Sequence, residues 1–533
     1  MTDTTQPPVV SNINVQALDA LIVRLQEAID YNLALSTDDI RLVLNAILTL
    51  ASMQERLSDQ DITVHKLRKL LGMVKSSEKL SDLLTDVPDS RTQKRKVTRT
   101  RKPKKKPTVQ PEKVFHSLVD LKKGARCPQC ERGTLYKYEP AQLLRITGHS
   151  PYRPVLHVFE RLRCNACGQF VSAELPEAVR RDGHREQKYG YSARTLMALN
   201  KYFAGTPFFR QESLQTILGF AIAASTVFDQ CEYLANDLQP LFQALKRLAG
   251  DAQQFELDDT THRILKQKPI EKKKRRSEKT QIRTGIYASG IIATRDERPL
   301  VLFQTNIGHA GEFIDEILVH RQPDKPPPIL MSDALSSNNP TVRQTYQAAC
   351  NAHARRQFVD VLAAFPQDVE WVLQRYQMIW THDDKTVEQK MTATQRLDYH
   401  REHSLPVMDD IYRWCEQQLT DEIVEENSGL GKAMAYFIRH FERLSLFCHK
   451  AGAKIDNNDM ESMLKLIVRN RKNAYFYQTA AGAAISDVIT SCIATAMQNE
   501  INVFDYFNAI QRNRQAVKEN PLDWLPWNYP QSA

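Results

Sequence analysis

The sequence predicts a multidomain α+β protein, in which an α/β core with a helical insertion follows helical and cysteine-rich modules. Three observations lead there. The hydrophobic period is helical up to about residue 250, turns strand-like from Gln253, and then alternates between helix and strand. Two Cys-x-x-Cys pairs, Cys127/Cys130 and Cys164/Cys167, sit in a stretch of their own. A run from Arg91 to Lys106 holds ten Lys/Arg and no acid. At 533 residues the chain is too long for one ordinary core, so three or four domains are expected.

Composition narrows the class. The chain is 42% hydrophobic and 25% charged, the ordinary balance of a soluble protein. It has no run of eighteen apolar residues and no signal-peptide pattern, which predicts neither a membrane-spanning nor a secreted protein but a cytoplasmic one. An odd count of nine cysteines, four of them in Cys-x-x-Cys pairs, fits a reducing compartment and a metal site better than a disulfide framework. Without the ten charges of the basic run, the net charge of +9 becomes −1, so the positive charge is mostly a tether.

The elements follow in order. Residues 1–84 form a helical module: Leu18, Leu21, Ile22, Leu25 and Ile29 recur at helical spacing, and Thr37-Asp38-Asp39 offers a cap for a second helix. Its role is dimerisation or DNA-end binding, or else simple bundling. Residues 85–113 are a basic linker. Its charges Lys94, Arg95, Lys96, Arg99, Arg101, Lys102, Lys104, Lys105 and Lys106 repel one another, bury nothing, and suit contact with DNA phosphates.

Residues 114–182 form a four-cysteine zinc-binding domain. Each Cys-x-x-Cys knuckle points two thiolates at one centre, so Cys127, Cys130, Cys164 and Cys167 complete a closed tetrahedral Zn²⁺ site with a structural role. The thirty-three residues between the pairs leave room for strands at 143–146 and 155–159. Residues 183–250 are helical. Ser213 to Phe228 reads as helix, Gly-containing turn and helix, with Ser225 opening the second. That is either a helix-turn-helix or a plain helical hairpin.

Residues 251–500 form the core. Gln254 to Asp258, Arg283 to Ala293 and Leu300 to Gln304 read as strands, with Lys272 to Arg276 in a hairpin loop. A helix from Gly311 to His320, a strand ending at Asp333, a helix from about Thr341 to Ala348 and a strand at Ala349-Cys350-Asn351 follow. Three strands, helix, strand, helix, strand is the ribonuclease H-like order, which sets the first strand beside the fourth and makes Asp258 and Asp333 neighbours. Residues of about 366–450 are a helical insertion. A long helix then carries Glu461, with Asp456 or Asn457 as its N-cap. Residues 501–533 are a C-terminal tail.

Three gathered carboxylates repel one another and need cations. Two unit charges about 4 Å apart in a medium of effective dielectric near 20 repel by roughly 4 kcal/mol. Two Mg²⁺ (or Mn²⁺) ions held by Asp258, Asp333 and Glu461 relieve that repulsion and suit in-line phosphoryl transfer on nucleic acid. Asp259 competes with Asp258 for this role, and Asp456 and Asp459 compete with Glu461. Cys350 and His353 suggest a further metal pair; alternatively Cys350 is core, and His353, Arg355 and Arg356 face DNA or the active site. Arg469, Arg471 and Lys472 follow Glu461 by two to three helical turns and are candidate phosphate contacts.

From about Lys66 to Trp527 these segments together resemble the insertion-sequence-66 family of bacterial transposases, which are DDE-type enzymes. Leu67-Arg68-Lys69-Leu70-Leu71-Gly72 is similar to the family's N-terminal signature, the four-cysteine module to its zinc domain, and Thr206-Pro207-Phe208-Phe209-Arg210-Gln211-Glu212 to the start of its central helical region. Leu257-Asp258-Asp259-Thr260-Thr261 stands for its Asp-Glu-Thr box and Ser332-Asp333-Ala334-Leu335 for Thr-Asp-Gly-Tyr. Cys350-Asn351-Ala352-His353-Ala354-Arg355-Arg356 stands for Cys-x-x-His-x-Arg-Arg, and Asn457-Asn458-Asp459-Met460-Glu461 carries the third acid. Arg471 to Phe476, Gly482-Ala483 and Leu525-Pro526-Trp527 match the blocks that follow.

The departures are Asp259 for Glu, Ala334-Leu335 for Gly-Tyr, Ser462 for Arg and Lys465 for a second Arg. The resemblance implies a transposase that cuts one strand at the element's ends and joins the freed 3′-hydroxyl to target DNA. Asp258, Asp333 and Glu461 would be its catalytic, metal-binding residues. It further implies double-stranded DNA as partner, a homodimer or higher assembly holding two ends, a nucleoid-associated location, and two small accessory proteins of the same element. A transposase-derived DNA-binding regulator or end-binding scaffold is the alternative.

Overall fold

The computed structural model describes residues 150–163, 170–184, 187–273 and 280–530, with shorter stretches before residue 150 that include 34–40 and 123–125. Cys127, Cys130, Cys164, Cys167 and the basic run 94–106 lie outside the described residues, as does the expected strand at 143–146. The chain divides into two compact units, Met1–Pro88 and Asp89–Ala533. In the first, residues 24–26 and 37–40 are helical as their spacing predicts. The cap of the second segment is Ser36, one residue before the expected Thr37, because Ser36 Oγ accepts from Asp39 N at 3.1 Å. Arg24 pairs with Asp39 at 2.8 Å.

The second unit is built on a five-stranded mixed sheet. Its strands, numbered in chain order, are β1 (Gln254–His262), β2 (Ile286–Arg295), β3 (Arg298–Asn306), β4 (Ile329–Ser332) and β5 (Tyr346–Ala349), arranged β3-β2-β1-β4-β5. The β3–β2 and β2–β1 pairs are antiparallel, and β1–β4 and β4–β5 are parallel. A two-residue turn, Asp296-Glu297, joins β2 to β3 with φ of 49° and 63°, the left-handed pair whose twist matches that of the strands. A separate two-stranded ribbon, Ile270–Lys273 with Thr280–Arg283, lies between β1 and β2 in sequence and receives part of the expected basic hairpin.

Helices α1 (Tyr191–Ala198), α2 (Phe208–Ile217) and α3 (Ala224–Ala249) precede the sheet, and α4 (Ala310–Leu318) joins β3 to β4. After β5 come α5 (Asn351–Val359), α6 (Pro366–Glu388), α7 (Ala393–His403), α8 (Leu405–Thr420) and α9 (Gly429–Leu444), so the expected insertion is helical. The chain returns through α10 (Asn458–Ala474), α11 (Ala480–Gln498) and α12 (Val503–Arg512). Gly219, with φ of +85°, makes the turn between α2 and α3 that a side chain would strain.

Both faces of the sheet are covered, which is why β2 and β3 read as nearly unbroken apolar runs. Ile291, Ala293, Leu300 and Leu302 pack with α3 and α4 through Leu238, Leu241, Phe313 and Ile317. Ala288, Ile292, Val301 and Phe303, on the alternate positions, pack with α10 through Met460, Leu464 and Ile467. One core cluster runs from Tyr152 through α1, α3, the sheet and α11 to Leu525, so segments on either side of residues 250 and 500 share it. A buried polar network stitches α1 to α12: Thr195 donates to Asn508 Oδ1 at 2.8 Å, and Gln511 Nε2 to Thr195 Oγ1 at 2.8 Å.

β3 is an edge strand, and α11 caps its free groups with side chains. Thr305 N donates to Asp487 Oδ2 (2.7 Å), Phe303 N to Ser491 Oγ (2.9 Å) and Val301 N to Thr495 Oγ1 (3.0 Å), while Asn499 Nδ2 donates to Pro299 O (2.8 Å). The spacings match: four helical residues rise about 6 Å and two strand residues about 6.8 Å. By length and composition α11 could cross a membrane, but it is mostly buried here and serves as a core helix.

Three expectations are corrected. Thr341 to Ala348 is not a helix: the Asp315 carboxylate takes the N–H groups of Thr341 and Val342 at 2.8 and 3.1 Å, and Tyr346–Ala349 pairs with β4 instead. Residues 155–159 form no strand. Leu156 and Val158 are exposed, and the pairing lies at Arg161–Arg163 with Phe170–Ser172. β1 does not stop at Asp258 but continues to His262, because β2 pairs with it throughout.

Asp487 makes the edge ladder testable. Burial pushes its carboxyl up to about 7, against the two Thr305 donors that hold it down. A carboxyl with a raised folded pKa favours the protonated protein, so its contribution to stability falls as pH rises from about 4 to about 7. Asp487→Asn keeps an acceptor for the Thr305 N–H, so it should equal or exceed wild-type stability at pH 8 and flatten this pH dependence. Asp487→Ala strands a buried N–H and should cost about 2–3 kcal/mol. Urea unfolding at pH 5 and pH 8 decides; an Asn variant as unstable as the Ala variant would count against the ladder.

Candidate active site

The site grows from the register of three adjacent parallel strands. Glu256 of β1 lies opposite Met331 of β4, and Ser332 of β4 opposite Ala349 of β5. Continuing the two registers sets Asp258, Asp333 and Cys350 in one row at the carboxyl ends of β4 and β5, where open α/β sheets form their binding crevices. Asp258 Oδ1 accepts from Asp259 N at 2.8 Å. Asp333 Oδ1 accepts from Leu335 N at 3.1 Å and Asn338 Nδ2 at 2.8 Å. Burial pushes the Asp258 carboxyl up to about 7, and the nearby charges of Asp333, Glu461 and Asp259 push the same way. The continued registers therefore end at the sequence-predicted aspartates, and Glu461 lies near enough for its charge to act on Asp258.

Asn457 brings Glu461 there. It is fully buried, its N–H donates to Cys350 Sγ (3.3 Å), its Nδ2 donates to Leu257 O (3.0 Å), and its carbonyl accepts from Glu461 N (3.1 Å). Asn457 occupies the N-cap position expected of it, but its side chain holds β1 and does not cap the helix. Asp456 does part of that work by accepting from Asn458 N at 3.1 Å. The start of α10 is thus pinned to β1 next to Asp258 and to the end of β5.

The competing acids are engaged elsewhere. Asp259 Oδ2 lies 3.0 Å from His309 Nδ1 and accepts from Ala310 N at the start of α4. Asp459 pairs with Lys454 at 2.7 Å, and Lys454 also pairs with the buried Glu256 at 2.5 Å. Asp456 Oδ2 accepts from Trp380 Nε1 at 3.1 Å. Trp380 comes from α6, and Tyr436 of α9 donates to Asp333 O at 3.3 Å, so the insertion touches both acid-bearing turns.

Sequence reasoning missed Gly290, which lies opposite Asp258 on β2. A Cβ there would come within 2.3 Å of Met460 Cε and 3.0 Å of Phe303 Cε1, so its absence lets α10 lie close on the sheet beside Glu461. A glycine inside a strand pattern is the signal that was available. Lys454, Tyr436 and Trp380 had no local signal, because their partners are distant in sequence.

The candidate DNA-contacting residues divide. Arg471 donates to Thr260 Oγ1 at 2.8 Å and to Thr261 O, and Arg469 Nη1 donates to Phe203 O at 2.7 Å, so both bind the protein's own backbone. Farther along α10, Asn470 accepts from the buried Lys201 at 2.7 Å; burial lowers that amine to about 8. Lys472 and Arg356 are exposed, Arg355 is partly buried, and His353 Nδ1 lies 3.6 Å from Glu461 Oε1.

A divalent cation suits this donor set. Glu461 Oε1 is shielded from solvent and has no hydrogen-bond partner, and the half-buried Asp258 feels like charges nearby. Among the described residues Cys350, His353 and Glu461 also bring ligating atoms within 4.8 Å of one another. Cys350 is buried, and burial pushes its thiol up to about 12, as expected of a core cysteine.

Comparison with known proteins gives a family. A family model described as "Transposase IS66 family" matches residues 188–485, more than half of the chain. Three relatives come from Sinorhizobium fredii (strain NBRC 101917 / NGR234). Uncharacterized protein y4hP is 21% identical over 411 residues, 72% of this chain and 69% of the relative. Uncharacterized protein y4jD is 29% identical over 194 residues, 34% of this chain and 36% of the relative. Uncharacterized protein y4qI is 22% identical over 356 residues, 63% of this chain and 62% of the relative.

Two backbone positions at the site can be tested by stability. Gly290→Ala should destabilise by about 1–3 kcal/mol through overpacking against Met460. An unchanged urea midpoint would mean that α10 does not depend on this close approach. Ala334, next to Asp333, has φ of 66°, a conformation that disfavours a side chain by about 1–2 kcal/mol. Ala334→Gly should raise stability by up to about 1 kcal/mol once the extra freedom of the unfolded glycine is subtracted. A loss of stability would mean that the methyl group packs favourably.

Proposed function

The chain belongs to the IS66 family of transposases, and from that premise we propose that it is a DDE-type transposase. In this reading it binds the ends of its element and catalyses metal-dependent strand cleavage and strand transfer in the cytoplasm. The carrying observation is the row formed by Asp258 and Asp333, with Glu461 delivered to it by Asn457. The strand order β3-β2-β1-β4-β5 supports reading the core as ribonuclease H-like, with the helices between α5 and α10 as its insertion.

Membership of the family implies use of divalent metal. Asp258, Asp333 and Glu461 are the residues proposed to hold Mg²⁺ or Mn²⁺, which when bound would activate the attacking oxygen and stabilise the leaving one. The chain's own part is to gather the carboxylates and hold them rigidly before DNA arrives. Lys472, Arg355, Arg356 and the linker residues Lys94 to Lys106 are proposed phosphate contacts. Arg469 and Arg471 are better read as positioning residues, since their donors fasten α10 to Phe203 and to β1. Cys127, Cys130, Cys164 and Cys167 are proposed to hold a structural Zn²⁺. An assembly of two or more copies would hold the two ends.

The test uses DNA from both flanks of the gene, purified full-length protein and Mg²⁺. Wild type should nick at the 3′ ends and join them to a plasmid. Loss of an outer-shell partner of a metal ligand typically costs 10–100-fold, so Glu461→Gln and Asp258→Asn should each lower cleavage by at least about a hundredfold. Binding without cleavage by wild type in Mg²⁺ or Mn²⁺, with accessory proteins present, would replace this reading by a DNA-binding scaffold.

A further inference from the structure

Two polar atoms face each other beside the carboxylate row. Glu461 Oε1 and His353 Nδ1 are both shielded from solvent, and neither has a hydrogen-bond partner. They stand 3.6 Å apart, too far for a hydrogen bond. Burying a polar atom unpaired costs on the order of 1–3 kcal/mol, so two of them in opposition call for a shared partner. Two ligand atoms each about 2.1 Å from one ion stand roughly 3.0–3.6 Å apart for angles between 90° and 120°, and the observed separation falls at the upper end of that range.

We propose that His353 Nδ1 and Glu461 Oε1 are joint ligands of one divalent cation, giving the carboxylate centre a nitrogen donor that favours a first-row transition ion such as Mn²⁺ over Mg²⁺. The inference rests on the reading of the carboxylates as a metal site and adds a ligand and a preference to it. Mg²⁺ takes oxygen ligands and keeps much of its water, whereas imidazole suits the transition ions. The fold supplies His353 at the right place. It lies in the first turn of α5, directly after the Cys350 position that continues the row from Asp258 and Asp333. Cys350 closes the back of the site, since its sulfur accepts the Asn457 N–H at 3.3 Å. The ion would then tie α5 to α10, two helices separated in sequence by the whole insertion.

The experiment titrates Mn²⁺ into the full-length, zinc-loaded protein and follows it by electron paramagnetic resonance, with Mg²⁺ as competitor. Wild type, His353→Ala and His353→Gln are compared, and circular dichroism confirms that each variant is folded. Wild-type bound Mn²⁺ should display coupling to a nitrogen nucleus, and both variants should lose it. Mn²⁺ affinity should fall at least tenfold in the variants, while Mg²⁺ affinity changes less than threefold. Absence of nitrogen coupling in wild type, or equal losses for the two ions, would overturn the inference. Failure of the functional reading looks different: Mn²⁺ bound with nitrogen coupling but DNA left uncut. DNA cut without nitrogen coupling would sink only the inference.

Discussion

The buried amide of Asn457 is the constraint on which the site depends. Three carboxylates cannot be brought together by mutual attraction, so the backbone that carries them must be fixed by other bonds. Two of the acids follow the β1–β4 ladder, which ends at Glu256 and Met331, two residues before each of them. The third comes from a helix that begins more than a hundred residues after β5. Asn457 closes that gap with one bond to β1 and one to the thiol that follows β5. It also accepts from the Glu461 N–H, so the acid is set one helical turn from a doubly anchored residue. The positive end of the α10 dipole then lies among the carboxylates and offsets part of their repulsion, an effect worth roughly 0.3–1 kcal/mol per charge at exposed sites.

A row of acids also demands a sheet that does not slip, because a shift of one residue would send every side chain to the other face. The antiparallel half of the sheet supplies that stiffness. Its edge strand is covered by the Asp487, Ser491 and Thr495 side chains of α11 and by Asn499, which follows it, so the edge is closed to pairing with another chain. β2 lies between that edge and β1, and its glycine at position 290 admits Met460. The ladder at the edge therefore fastens α11 to the sheet, and the close approach at the centre seats α10 on it, so two successive helices hold the antiparallel half.

Much of this was legible in the sequence. The change from helical to strand-like period at Gln253, the apolar run ending at Asp333 and the order of strands and helices were enough to set Asp258 beside Asp333. Glu461 was legible only as an acid on an amphipathic helix with a family-like motif around it; nothing local says that Asn457 reaches Leu257. The segment before Cys350 was misread because its pairing is non-local. Asp315 of α4 captures two N–H groups that a helix would have left free, and the remaining residues join β4. The partners of Arg471 were illegible for the same reason: a cation on a helix after the third acid suits phosphate, and nothing local says that it bonds Thr260 and Thr261, two hundred residues earlier.

The helical insertion raises the question of how such a long excursion leaves the site undisturbed. Its neck gives the answer. Asn351, also fully buried, donates through Nδ2 to Leu444 O (2.9 Å) and Ile455 O (3.0 Å), and its own N–H donates to Ile455 O (3.1 Å). The chain therefore leaves and re-enters at nearly one point, and the entropy of closing the loop grows only slowly with its length. Asn351 and Asn457 flank the same cysteine, the first closing the neck and the second fastening the returning helix. Once both are in place the insertion adds support, because Tyr436 braces the Asp333 turn and Trp380 braces the turn before α10. The long insertion and the site are compatible because two buried asparagines fix the points at which the chain leaves and returns, whatever the length between them.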